Sequence, residues 1–346
     1  MAPLHALLAR FPQTTLIDQH TPIQRLTALE HVLGLDSRGI RLFAKRDDFM
    51  ALGGGGNKLR KLEFLLGAAL HDGVERVITV GGLQSNHARL SAAACASLGM
   101  PCELVLSRAV AKDGEEYEQN GNVLLDRLFG ANLHIAPDGI SALHWAEVLA
   151  AQRAVAGEKV RVIPTGGSTA LGCLGYAKAA LEIIEQEHSL GMQFTRVFTA
   201  NGSSGTHAGL AAGFAALGRG AGLVKSYAVL ANADQARQQT LALAHQAQAL
   251  LGLPDDIEAG DIDIDASQLG DGYGLPTDSM LAALRLMARA QGLLLDPVYS
   301  GKAFAGLLAD LEGDRYQAGD NLLFVMTGGT PGLFAYRCAL STAPPL

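Results

Sequence analysis

The chain has 346 residues, 49% of them hydrophobic and 18% charged, and a formal net charge of −7. Charge below the usual ~25% beside so much apolar content excludes disorder, and at ~150 residues per domain the length suggests two domains. No basic stripe invites nucleic acid, and no unbroken apolar run reaches the ~18 residues of a membrane helix.

The opening MAPLHALLAR lacks a basic n-region and a clean apolar core, so no signal peptide is expected and the location expected is cytoplasmic. Short β-branched runs follow at 41–45, 76–80, 103–107, 160–164, 196–200, 227–230 and 322–326. Between them lie longer amphipathic stretches such as 59–70, 88–98, 170–187 and 280–290. This alternation predicts an α/β protein with parallel sheets and helices on both faces. In such sheets ligands bind beyond the carboxyl ends of the strands. The acidic stretch 255–265 reads as a solvated loop. Cys95, Cys102, Cys173 and Cys338 form no CxxC, and the histidines form no HExxH. Neither a disulfide framework nor a bound metal is expected.

Glycine is 41 of the residues, well above the usual ~7%, and the excess is clustered. GGLQSNH (81–87), PTGGST (164–169), NGSSGTH (201–207) and TGGTPG (327–332) each follow a strand-like run. A strand, a Gly/Ser/Thr turn and a helix start make an anion-binding design, because the first helical N–H groups are free and the dipole is positive there. One such turn is an ordinary tight turn; four suggest a site assembled from several loops. NGSSGTHAGL lacks GxxxxGK[ST], and no GxGxxG follows the first strand, so neither a Walker loop nor a nicotinamide site is supported. Successive N–H groups over Gly202, Ser203, Ser204, Gly205 and Thr206 could nest a terminal phosphate. GGGGNKLRKLE (53–63) sets Lys58 after a flexible run. It is either a surface lysine or an amine delivered into a cleft. Ser85, Asn86 and His87 stand at a helix start, as a plain cap or as a carboxylate site.

Taken together and in order, GGNKLRKLE, QSNHAR, NGNVLLDRL (120–128), GGSTALGCLGY (166–176), SSGTHAGL, GYGLPT (272–277), DPVYSGKAFAGL (296–307) and TGGTPGLFAY (327–336) closely resemble the fold type II pyridoxal-phosphate enzymes. The specific similarity is to the subfamily of D-cysteine desulfhydrase, 1-aminocyclopropane-1-carboxylate deaminase and L-cysteate sulfo-lyase. The resemblance runs from about residue 21 to 336. It implies two open, twisted, mostly parallel sheets, as in the tryptophan synthase β-like fold. Residues 1–50 with 165–346 would form the large cofactor-binding domain. Residues 51–164 would form a small domain carrying the lysine and the substrate carboxylate loop. It also implies pyridoxal 5′-phosphate as cofactor, a small amino-acid substrate and a homodimer.

Residue by residue, the resemblance makes Lys58 the Schiff-base lysine and sets Lys61 near the phosphate. Asn86 would contact the cofactor's phenolic oxygen, and the 202–206 turn would cradle the phosphate. Ser85, Tyr273 and Tyr299 would act beside the substrate, with His87 and Thr165 bordering it. Ser300 and Thr327 would face the pyridine nitrogen. Deaminases that open the cyclopropane ring carry Glu and Leu at these two positions. A hydroxyl cannot pair with a pyridinium charge, so the weaker electron sink points to β-elimination. The implied reaction is sulfide loss from D-cysteine, with sulfite loss from L-cysteate as the alternative. Cyclopropane ring opening and cofactor binding without catalysis stand behind these. PTGGST departs from the PVGGSS usual in D-cysteine enzymes, which leaves the leaving group open.

Overall fold

A computed structural model describes residues 3–313 and 315–341. The expected large unit therefore has its outermost residues, 1–2 and 342–346, outside the described part. The described strands are β1 (Ile23–Arg25), β2 (Arg41–Lys45), β3 (Arg76–Gly82), β4 (Cys102–Ser107), β5 (Asn132–Ile135), β6 (Val160–Ile163), β7 (Arg196–Asn201), β8 (Val224–Ala228), β9 (Asp263–Asp265) and β10 (Asn321–Val325). They form two sheets. One has the order β1-β2-β10-β7-β8-β9 and is parallel except for the β1–β2 pair. The other, β5-β4-β3-β6, is wholly parallel.

Apolar runs flanked by glycine become the central strands because both faces of a parallel sheet are covered. In the smaller sheet Val77, Leu104 and Leu106 pack with Leu62, Leu66 and Leu90 of the flanking helices. In the larger sheet Leu42, Phe198 and Phe324 pack with Phe304 and Met287. β3 ends on glycine for a steric reason. A Cβ on Gly81 would lie 2.4 Å from Ser85 Oγ, the cap of the next helix.

The helix Lys58–His71 is held against the helix Ala170–Leu190 by close backbone approach and a buried ion cluster. A Cβ on Gly175 would meet Arg60 O at 2.1 Å. Arg60 donates to Asp47 Oδ2 at 2.9 Å and to Glu182 Oε2 at 2.8 Å, while Lys45 also pairs with Glu182. Tyr176 OH donates to Asp47 Oδ2 at 2.6 Å.

Two sequence expectations need correction. The 255–265 stretch is not all loop: it holds a short helical turn, Ala259–Asp261, and the edge strand β9. The run expected at 227–230 is the strand Val224–Ala228. Its polar start hid it: Lys225 is buried because it pairs with Asp310. Among the described residues, no helix is long and apolar enough to cross a membrane.

Candidate active site

A cavity of about 250 Å³ opens beyond the carboxyl ends of β3 and β7. Lys58, Ser85, Asn86, His87, Thr165, Gly202, Ser203, Ser204, Thr206, Tyr273, Tyr299 and Thr327 all line it. Twelve residues spread over about 270 positions of sequence thus meet at one place. Lys61, Gly205 and Ser300 do not line the cavity but stand directly behind its wall.

Lys58 opens its helix after four glycines and donates to Asn57 Oδ1 at 3.2 Å. Burial, helped by the charge of Lys61 and opposed by Asp296, holds its amine well below the usual lysine range. Burial thus favours the neutral, nucleophilic form of the amine. Asn57 also donates to Thr206 Oγ1 at 3.1 Å, so the lysine turn is tied to the 202–206 turn.

That second turn is built for a small anion. Ser204 has φ +64°, a left-handed conformation rare outside glycine. Among the described residues, the N–H groups of Ser203 and Ser204 donate to no protein acceptor. The helix Gly205–Ala216 begins there, adding its positive end. Lys61 Nζ donates to Gly166 O at 3.1 Å and Ser168 Oγ at 3.0 Å, and Ser168 Oγ lies 2.8 Å from Ser203 Oγ. Burial brings Lys61 down to about 8, offset by Cys173.

At the opposite wall, the helix Asn86–Ser97 begins with Ser85 as its cap; Ser85 Oγ accepts from Ala88 N–H at 3.1 Å. Among the described residues Ser85 Oγ makes no other hydrogen bond, so its proton is free to be donated into the cavity. Asn122 Nδ2 donates to Asn86 Oδ1 at 3.0 Å, which turns the Asn86 amide nitrogen away from Asn122. Thr79 Oγ1 donates to Ile163 O at 2.9 Å, so it can only accept from His87 Nε2, also at 2.9 Å. Burial, with Lys58 and Lys61 nearby, keeps His87 well below the usual histidine range and neutral.

The phenols of Tyr273 and Tyr299 are 2.6 Å apart. Burial raises both, so both stay protonated. Ser300 is engaged within its own turn and does not line the cavity. Its Oγ donates to Asp296 Oδ1 at 2.7 Å and accepts from Asp296 N–H at 2.8 Å. The local DPVYS turn consumes the hydroxyl, leaving Thr327 as the hydroxyl of the expected pair that lines the cavity.

Sequence reasoning passed over a supporting layer. Gln84 Nε2 donates to Tyr117 O and Asn120 O, and Gln84 Oε1 accepts from Asn122 N–H at 2.9 Å. Asn120 and Asn122 stand in the NGN segment, and two asparagines flanking a glycine are the signal the sequence carries.

With this geometry in hand, comparison with known proteins defines the class. The profile of the "Pyridoxal-phosphate dependent enzyme" family matches residues 14–328, so the chain belongs to the pyridoxal-phosphate dependent enzymes and has their fold type II architecture. It is 40% identical over 336 residues to a D-cysteine desulfhydrase of Salmonella typhi, covering 97% of this chain and 99% of the relative. It is 41% identical over 337 residues to a D-cysteine desulfhydrase of Klebsiella pneumoniae (strain 342), covering 95% and 98%. A crystal structure described as an ACC deaminase homologue superposes with a TM-score of 0.86 at 35% identity, over 99% of both chains.

Pyridoxal phosphate is the cofactor of this family, and the residues present fit it. A Cβ on Gly205 would lie 2.7 Å from Lys61 Nζ and 2.6 Å from Ser168 Oγ, so the turn is kept open by the lack of a side chain. The unspent N–H groups of Ser203 and Ser204 suit phosphate oxygens. A buried amine at Lys58, whose neutral form burial favours, suits an aldehyde.

Proposed function

We propose that the chain is a carbon–sulfur lyase that converts D-cysteine and water to pyruvate, sulfide and ammonia. The observation that carries this is the character of the cavity lining: among the described residues it contains no carboxylate. No lining acid is available to hold a proton on the pyridine nitrogen, which suits elimination rather than ring opening. Two relatives near 40% identity over almost their full length bear the same activity in their names.

Pyridoxal phosphate, when bound, supplies the electron sink for the pair left at the substrate Cα. The Ser203–Thr206 turn, backed by Lys61, would hold its phosphate. Thr327 would meet its ring nitrogen with a neutral hydroxyl, and Asn86 Nδ2, aimed by Asn122, would donate to its phenolic oxygen. Lys58 would carry it covalently and, as a free amine, take the Cα proton of the substrate. The first-turn N–H groups of Asn86 and His87 have no intrahelical partner and would bind the substrate carboxylate, with the Ser85 hydroxyl as a further donor. In the Tyr273–Tyr299 pair one phenol donates to the other. The second proton stays free to be given to the departing sulfur, as general acid catalysis requires. Thr165 would border the β-substituent.

We further read residues 1–50 with 165–346 as the large unit and 51–164 as the small one. Its support is that β3 to β6 fall wholly within 76–163. A cytoplasmic homodimer is the assembly proposed from the resemblance; light scattering on the purified protein tests it.

The central experiment follows pyruvate release by the cofactor-loaded protein from D-cysteine, L-cysteine, L-cysteate and 1-aminocyclopropane-1-carboxylate in parallel. Turnover of D-cysteine far above the others is expected. Preference for L-cysteate would move the reading to sulfite release, and inactivity on all of them would overturn it.

A further inference from the structure

Arg89 is completely buried on the helix Asn86–Ser97, yet it makes no ion pair among the described residues. It spends its hydrogen bonds on backbone instead. NH1 donates to Gly53 O at 2.6 Å and NH2 to Gly55 O at 3.0 Å. The nearest acids that act on it, Asp126 and Asp296, do so only through space. A buried cation without a paired carboxylate is costly, and an apolar side chain of similar size would fill the space more cheaply. The guanidinium is therefore retained for what it holds.

What it holds is the turn that delivers Lys58. Gly53, Gly54, Gly55 and Gly56 have φ values of 61°, 78°, 74° and 137°. Such a run has no conformational preference of its own. A Cβ at Gly53 would strike Ala93 Cβ at 2.6 Å and one at Gly55 would strike Asp48 O at 2.2 Å, so no stiffer residue fits. The far end is tied to the other sheet: Asn57 N–H donates to Thr327 O at 3.0 Å, and Gly56 bridges Gly328. Among the described residues, the near end is tied by Arg89 alone among side chains. Arg89 also lies one helical turn after Ser85, so the helix that begins at the Ser85–His87 wall clamps the lysine turn as well.

We propose that Arg89 is a positioning residue for Lys58: its two carbonyl contacts freeze the glycine turn so that the amine is presented to the cofactor's aldehyde. This rests on the reading of Lys58 as the covalent lysine. The consequence is selective. Loss of Arg89 should impair covalent capture by Lys58 while sparing the phosphate turn, which makes no hydrogen bond to Arg89 and meets the lysine turn through Asn57, at the end Arg89 does not hold.

The test uses cofactor-free full-length protein and two measurements. Binding of pyridoxamine 5′-phosphate, which has an amine where the cofactor has its aldehyde, reports the phosphate turn and ring pocket without capture. Capture of pyridoxal phosphate forms a C–N bond from Lys58 Nζ to the aldehyde carbon with loss of water. Borohydride then reduces the C=N bond, and mass spectrometry locates the adduct and times it. Arg89→Met is expected to slow capture by about 10-fold or more, given that ~1 Å misplacement can cost ~100-fold, with pyridoxamine phosphate affinity within about 3-fold. Arg89→Lys, able to reach one carbonyl, should fall between and decides the matter if Arg89→Met does not fold. Unchanged capture, or capture and pyridoxamine phosphate affinity falling in step, would overturn the proposal. A wild-type adduct on a lysine other than Lys58 would instead sink the underlying assignment.

Discussion

Asn122 donates from Nδ2 to Asn86 Oδ1 at 3.0 Å and, from the same nitrogen, to Gln84 O at 3.0 Å. One buried amide thereby decides which end of Asn86 faces the cavity. Without it, Asn86 could present its oxygen and repel the cofactor's phenolic oxygen. Asn122→Leu keeps the approximate volume and removes the donor. We expect kcat/KM for D-cysteine to fall about 10-fold, the equivalent of ~1.4 kcal/mol. Steady-state kinetics with a circular-dichroism check of folding would measure it, and unchanged kinetics would show that Asn86 orients itself.

The Tyr273–Tyr299 contact at 2.6 Å leaves one of two phenolic protons free. Tyr299→Phe breaks the chain from one side and Tyr273→Phe from the other. If the pair delivers a proton to sulfur, each variant should lower kcat on D-cysteine by about 100-fold. A substrate whose leaving group needs no proton, such as β-chloro-D-alanine, should lose far less. Equal losses on the two substrates would restrict the tyrosines to binding.

The parts of this site that were legible in sequence are those whose chemistry and partner lie in one short segment. Lys58 after its glycines, the Ser85 cap and the 202–206 turn each stand out locally as candidates, although their roles come only from the resemblance. Strands such as Arg76–Gly82 were legible because the apolar, β-branched run is continuous. What escaped depended on distant partners. Arg89 grips carbonyls 34 and 36 positions earlier, and Gln84 anchors Asn122 38 positions on. β9 reads as an acidic loop until β8 pairs with it and Arg196 pairs with Asp263. At Ser300 the hidden partner is a near one. Its position matched a role, but Asp296, four residues earlier, claims its hydroxyl.

The phosphate turn gives a steric prediction. At Gly205 even one methyl would lie 2.7 Å from Lys61 Nζ and 2.6 Å from Ser168 Oγ. Lys61 can retreat only by giving up its bonds to Gly166 and Ser168. Gly205→Ala should therefore weaken pyridoxamine 5′-phosphate at least about 10-fold while pyridoxamine without phosphate is little changed. Isothermal titration with both ligands checks it; parallel losses would show a general collapse of the cavity instead.

The cluster beneath the lysine helix predicts a pH dependence. Burial alone would raise Glu182, but the charge and hydrogen bonds of Arg60, with Lys45, overrule it and bring it down to about 2. Lys45 is itself pulled down by burial against the attraction of Glu182, so Arg60 is the partner that carries the stabilisation. A carboxyl depressed on folding stabilises the protein above its ordinary value near 4.5, and that contribution drains away as the pH falls from there toward 2. Glu182→Gln removes the titrating group and leaves Arg60 under-compensated. At neutral pH it should cost about 3 kcal/mol, in the range for breaking a buried pair. Between pH 4.5 and 2 the wild type should lose melting temperature steeply and the variant more gently, so the two curves converge at the acid end. Curves that stay parallel would place the acid sensitivity of this fold in other carboxylates.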